Sequence, residues 1–161
     1  ANLPYYITSP VIMKLLEDRL PITSITVMVQ KEAAERLCAQ PGTRECGAVS
    51  AAVQYYAEPE ILFEVSRGSF MPAPNVDSAV IQLRIRKEPP VDVHDETLFF
   101  RVIRAAFAQR RKTAVNSISN TLHMSKQQVT DAFEQAGVRA NSRAEALTLP
   151  EFAAIVNQLA D

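Results

Sequence analysis

Apolar positions repeat with two different periods along this chain, and the changes of period divide it into elements. After Thr8-Ser9-Pro10, a helix start with proline in the first turn, Val11, Ile12, Leu15 and Leu16 recur at helical spacing until Pro21 ends the pattern. Residues 25–29 form a short β-branched apolar run, which predicts a buried parallel strand. Helical spacing returns over residues 31–39 and stops at Pro41-Gly42. A further helix is expected over 48–57, against the valines and tyrosines in it. The period then drops to two. Ile61, Phe63 and Val65 alternate with Leu62, Glu64 and Ser66, and Ala79, Ile81, Leu83 and Ile85 alternate with Val80, Gln82, Arg84 and Arg86. Lys87-Glu88-Pro89-Pro90-Val91 breaks both periods and reads as a linker. Everything beyond it reads helical. Phe99, Val102, Ile103, Ala106 and Phe107 make an apolar stripe, with Arg104 and Arg111, seven apart, expected on a different face. Later helices are predicted over 125–136, capped by Ser125 and closed by Gly137, and over 150–159.

This order of elements predicts an α/β fold: a sheet-bearing part at residues 1–87 and a small all-α domain at 88–161. With 161 residues, 47% of them hydrophobic and 22% charged, there is material for one domain, or for part of one and a small second. The same balance excludes a disordered chain. No apolar run approaches the ~20 residues of a membrane span, and residues 1–20 lack the basic start and cleavage site of a secretory signal. Cys38 and Cys46, without the spacing of a zinc or redox pair, read as reduced thiols of a cytoplasmic protein. His94 and His123 have no partners at ligand spacing, so no metal is expected.

Net charge, at −1, argues against a nucleic-acid partner, but its distribution argues the other way. From Thr97 to Lys126 there is no acidic residue, while Arg101, Arg104, Arg110, Arg111, Lys112 and Lys126 are positive. Such a patch attracts phosphates even on a near-neutral protein. The bland reading is a solvated helix face.

The candidate chemistry begins at Asn2-Leu3-Pro4-Tyr5. An asparagine oxygen and the next carbonyl could accept the two hydrogens of an adenine exocyclic amine. They would thereby turn its delocalised lone pair toward an electrophilic methyl group. Pro4 would stiffen the turn, and Tyr5 would offer a ring face to an unstacked base. Two more segments follow in order: Phe70-Met71-Pro72-Ala73-Pro74-Asn75-Val76-Asp77-Ser78-Ala79-Val80 and Phe107-Ala108-Gln109-Arg110-Arg111-Lys112. In this order and at these separations the three resemble the small-subunit ribosomal RNA adenine dimethyltransferases, the KsgA type. Gln30-Lys31-Glu32 with Arg36-Leu37, Gln54-Tyr55-Tyr56, and Arg143-Ala144-Glu145 carry the likeness over nearly the whole chain.

The resemblance implies a Rossmann-like methyltransferase sheet, with this chain as its C-terminal part, and S-adenosylmethionine as methyl donor. It implies adjacent adenines of small-subunit ribosomal RNA as substrate and the immature small subunit as partner, with a monomeric full-length enzyme. By the same likeness Asn2, Leu3, Pro4 and Tyr5 are catalytic, and Asn2 and Leu3 also meet the cofactor. Tyr5, Phe70 and Pro72 form the base pocket, while Arg104, Gln109, Arg110, Arg111 and Lys112 hold RNA. Asp77 and Ser78 are expected to fix loop geometry. Members of the family carry a glycine-rich turn for the cofactor, and Gly42, Gly47, Gly68 and Gly137 form none. The chain therefore reads as a fragment lacking about three strand-helix units of ~30 residues each. Alone, it is expected to be inactive, to bind the cofactor poorly, and to expose apolar surface around residues 25–29. Antibiotic-resistance methyltransferases of large-subunit RNA share the first two segments but lack a match to Gln109-Arg110-Arg111-Lys112, which favours the small subunit. The remaining alternative is a non-catalytic nucleic-acid-binding relative.

Overall fold

The computed structural model describes Asn2 and residues 8–161, so the expected roles of Leu3, Pro4 and Tyr5 lie outside the described residues. The chain divides into two compact units, Ala1–Ala39 with Val53–Pro89, and Gln40–Ala52 with Pro90–Asp161.

The first unit holds helix α1 (Thr8–Glu17), strand β1 (Ser24–Gln30), helix α2 (Lys31–Leu37), the end of helix α3 (Ala48–Tyr56), and strands β2 (Ala57–Val65) and β3 (Ser78–Ile85). The sheet order is β1-β3-β2, and β3 pairs antiparallel with both neighbours. This corrects the expectation of a parallel strand at 25–29. The ladder of β1, from Ser24↔Arg84 to Gln30↔Ser78, is antiparallel, and its parallel pairing is a single bridge, Asn2↔Met28. A buried apolar run carries no information about strand direction, which is set by the partner.

Ile25, Val27 and Val29 face Leu83, Ile81 and Ala79 across the β1–β3 ladder, and all six are buried. Helix α2 packs on the sheet and buries Ala34 and Leu37. The apolar surface expected around residues 25–29 is therefore covered. Apolar exposure falls instead on the edge strand β2, where Ile61, Leu62 and Phe63 are 39%, 42% and 56% exposed. A register shift between Ile61 and Phe63 puts Leu62 out of the ladder, so the period-two reading of this strand slips by one residue. The strand also starts earlier than its alternation implied, at Ala57. Pro59 is tolerated on an edge, and Glu58 is bridged by Arg84 at 3.4 Å and by Arg86 at 3.4 Å.

The second unit is helical. Helices α4 (Glu96–Phe107), α5 (Ala114–Leu122), α6 (Lys126–Gln135) and α7 (Leu149–Ala160) bury Phe99, Val102, Ile103, Ile118, Phe133, Phe152 and Ile155. Each begins at a side-chain cap: Asp95, Thr113, Ser125, and Thr148 in a capping box with Glu151. Helix α5 has no counterpart in the sequence reading. It is capped at its start by Thr113 and at its end by His123, whose φ of 55° is left-handed. The segment before α4 is tied to α7, with the Asn157 side chain accepting from the His94 N–H at 2.9 Å and donating to the Asp92 carbonyl at 2.9 Å. Residues 40–52 group with this unit, which differs from a boundary at 87/88. Cys46 is buried, and a Cβ built on Gly42 lies 3.6 Å from Thr148 Cγ2. Such packing leaves no trace in local periodicity.

Candidate functional site

In the first unit, strand direction brings two of the three motif segments to one end of the sheet. Strand β1 runs toward Gln30, which pairs with Ser78 at the start of β3, while Val65 at the end of β2 also pairs with Ser78. Asn2 bridges Met28, two residues short of that end, and runs parallel to β1. The loop between β2 and β3, which carries Phe70 and Pro72, leaves from the same end. In α/β sheets, ligands bind beyond the carboxyl ends of the parallel strands, which is the end in question.

That loop is closed at its base by hydrogen bonds. The Asp77 carboxylate accepts from the Arg67 backbone N–H at 2.9 Å, the Arg67 guanidinium donates to the Asn75 carbonyl at 3.1 Å, and the Asp77 carbonyl accepts from the Lys31 N–H at 3.0 Å. Ser66 caps the 3-10 turn Arg67–Ser69 by accepting from the Gly68 N–H. Asp77 thus fixes loop geometry, as its place in the motif suggests, and Arg67 is its partner, which no feature of the motif singles out. Phe70 is half-buried, Pro72 is exposed, and Met71 between them is 98% exposed. Asn2 is exposed.

In the second unit the basic cluster is not on a helix face. Helix α4 ends at Phe107, and residues 109–112 form a turn closed by the Lys112 N–H donating to the Gln109 carbonyl at 3.0 Å. The expectation that Arg104 and Arg111 share a face of one helix is therefore wrong: Arg104 lies on α4 and Arg111 in the turn after it. Four helix-forming residues in a row hid the break, which Thr113 enforces by capping α5 through the Asn116 N–H at 3.2 Å.

This turn is held on both sides. Ser117, fully buried in α5, accepts from the Gln109 N–H at 3.0 Å and donates to the Ala105 carbonyl at 2.5 Å. Asn120 donates to the Gln109 side chain at 3.2 Å, and the Arg143 guanidinium donates to the Arg110 carbonyl at 2.9 Å. The cluster's backbone is fixed while the side chains of Arg110, Arg111 and Lys112 stay exposed, with no ion pair or side-chain hydrogen bond among the described residues. A fixed turn presenting three free cations is suited to phosphates, since little ordering remains to be done on binding.

Both cysteines are poorly ionised. Burial pushes the thiols of Cys38 and Cys46 up to about 11; at Cys46 the Ser50 hydrogen bond opposes this and the Glu145 charge adds to it. At pH 8 their native alkylation by iodoacetamide is expected to be roughly 10²-fold slower than in the unfolded chain, where thiols titrate near 8.5. Because the folded values are raised, the thiols' contribution to stability is whole below the unfolded pKa. It diminishes as pH climbs toward about 11. Urea titrations between pH 8 and pH 11 check this, and a midpoint that does not fall would contradict it. Among the described residues no group of three or more His, Cys, Asp or Glu could hold a metal, and no helix is long and apolar enough to cross a membrane.

The chain is 53% identical to the ribosomal RNA small subunit methyltransferase A of Geobacillus sp. (strain WCH70) over 162 residues, which is 99% of this chain and 56% of that protein. It is 49% identical to the protein of the same name from Oceanobacillus iheyensis, over 98% of this chain and 54% of the other. The chain thus spans about half the length of the curated relatives it matches. Among solved structures, a dimethyladenosine transferase from Plasmodium falciparum superposes with a TM-score of 0.81 at 24% identity, covering 99% of this chain and 65% of the other. The 23S rRNA methyltransferase ErmE superposes with a TM-score of 0.71 at 22% identity, covering 99% and 64%. At such identities these two establish the fold, the α/β fold of Rossmann-like methyltransferases that the motif order implied. The model of the ribosomal RNA adenine dimethylase family matches residues 1–161, and the chain belongs to that family.

Proposed function

We propose that this chain is the part of a small-subunit ribosomal RNA adenine N6,N6-dimethyltransferase that presents the target base and grips the RNA. Methyl groups would pass from S-adenosylmethionine to the exocyclic amines of adjacent adenines, in the cytoplasm, on the immature small subunit, with the enzyme a monomer. The observation that carries this reading is the placement of Asn2 and the Phe70–Pro72 loop toward the same end of the sheet, in a chain of this family.

Asn2 Oδ1 and the Leu3 carbonyl accept the two amine hydrogens and hold the nitrogen lone pair toward the donor. Tyr5 stacks on one face of the flipped adenine, Phe70 closes the other, and Pro4 and Pro72 keep the two segments rigid. No side-chain base is needed, because the ammonium formed on transfer is acidic enough to lose its proton to water. S-adenosylmethionine, when bound, supplies an electrophilic methyl group. The described residues fit it only in part: no two of the four glycines share a strand-to-helix turn that could cradle it, and Asn2 is the described residue that would meet it.

The test is methylation by the full-length protein with labelled S-adenosylmethionine, offering immature small subunits and large-subunit RNA separately. Dimethyladenine in small-subunit RNA is the expected product. Label in large-subunit RNA would place the chain with the resistance methyltransferases, and binding to either RNA without label would make it a non-catalytic relative.

A further inference from the structure

The second unit contains a polar basin lined by Arg44, Gln109, Arg110 and Lys112, with Glu145 in its wall and buried Cys46 beneath part of it. Arg44 does not belong to the basic run of residues 97–126. It comes from the segment 40–52, which folds into this unit, and it is exposed. Among the described residues the side chains of Arg44, Arg110 and Lys112 have no ion pair or hydrogen bond, and Glu145 is paired with none of them. Three cations against one carboxylate leave the basin with an excess of positive charge, and a concave wall concentrates that field. A ligand that satisfies it must be anionic and rich in acceptor oxygens.

We propose that Arg44 is an RNA-contacting residue and that the basin takes one backbone phosphate between Arg44, Arg110 and Lys112. The inference rests on the proposed function, that the protein acts on ribosomal RNA. Two features favour a phosphodiester. Arg44 and Arg110 both present forked donors that match two phosphate oxygens, and Lys112 adds a point charge. The Arg110 backbone is also fixed by Arg143, so one wall of the basin is already in place. Glu145 keeps the basin from being purely cationic and would weaken each phosphate interaction.

The experiment measures affinity of the full-length protein for immature small subunits across a salt series, for the parent and for Arg44→Ala, Arg44→Lys, Arg110→Ala and Glu145→Gln. The slope of log affinity against log salt is expected to fall in Arg44→Ala by up to about 0.7 to 0.9, the value of one neutralised phosphate, and to be kept in Arg44→Lys. Glu145→Gln should bind more tightly at low salt. An unchanged slope in Arg44→Ala, where Arg110→Ala lowers it, would overturn the inference and leave the RNA reading standing. A slope that falls in Arg44→Lys as well would also overturn it, since the charge is then not what matters. A parent with no salt-dependent binding would sink the RNA reading and the inference together.

Discussion

Asn2→Ala in the full-length protein should lower methyl transfer by about 10²-fold or more, the effect of removing one group from a preorganised electrostatic site. That corresponds to about 2.7 kcal/mol of transition-state stabilisation. The substitution leaves the Leu3 carbonyl as sole acceptor, so the amine can rotate away from the line of attack. RNA binding should survive, because the residues that would hold the phosphates belong to the second unit. Tyr5→Ala should act differently, costing about 1 to 3 kcal/mol in holding the flipped base, and Tyr5→Phe should cost little because the ring face does the stacking. Single-turnover methylation of immature small subunits separates these cases. A near-normal rate for Asn2→Ala would mean that the segment is a loop without chemistry and that the proposed active site is wrong.

Replacing Arg110, Arg111 and Lys112 together with alanine should produce the largest effect on binding. Each phosphate that is no longer neutralised takes about 0.7 to 0.9 from the salt slope, so with Arg110 and Lys112 sharing one phosphate and Arg111 on a second the slope should flatten by up to about 1.4 to 1.8. Affinity for S-adenosylmethionine should not change. The three side chains are exposed and the turn is held by Ser117, Asn120 and Arg143 through the main chain and the Gln109 side chain, so the fold should tolerate the change. An unchanged salt slope would reduce the cluster to a solvated turn and weaken the case for a small-subunit substrate with it.

How much of the fold and the site is legible along the chain depends on whether the signal is local. The cap at Ser125 and the stop at Gly137 bound α6 within a residue, and the apolar stripe of α4 matches its buried face at Phe99, Val102, Ile103 and Ala106. The β3 alternation is likewise faithful, since Ala79, Ile81 and Leu83 are all buried. The failures cluster where a neighbour decides. A bulge at Leu62 moves β2 side chains off their expected face, and the break after Phe107 turns a supposed helix face into a turn. Arg44 is not visible as a site residue at all, because nothing in its own surroundings marks it.

Periodicity, capping and motif chemistry are properties of a few adjacent residues, so most of the elements, their caps and the groups that would react can be read directly from residue order. The succession of the three motif segments, which first pointed to the family, is legible in the same way. The partner of β1 is not: that β1 lies against β3, and that Asn2 and the loop carrying Phe70 lie toward one end of the sheet, came from three-dimensional packing alone. Packing likewise placed 40–52 in the helical unit and set Arg44 beside Arg110 and Lys112. Strand pairing and basin lining join residues tens of positions apart, held by burial of apolar surface that no short window of sequence contains.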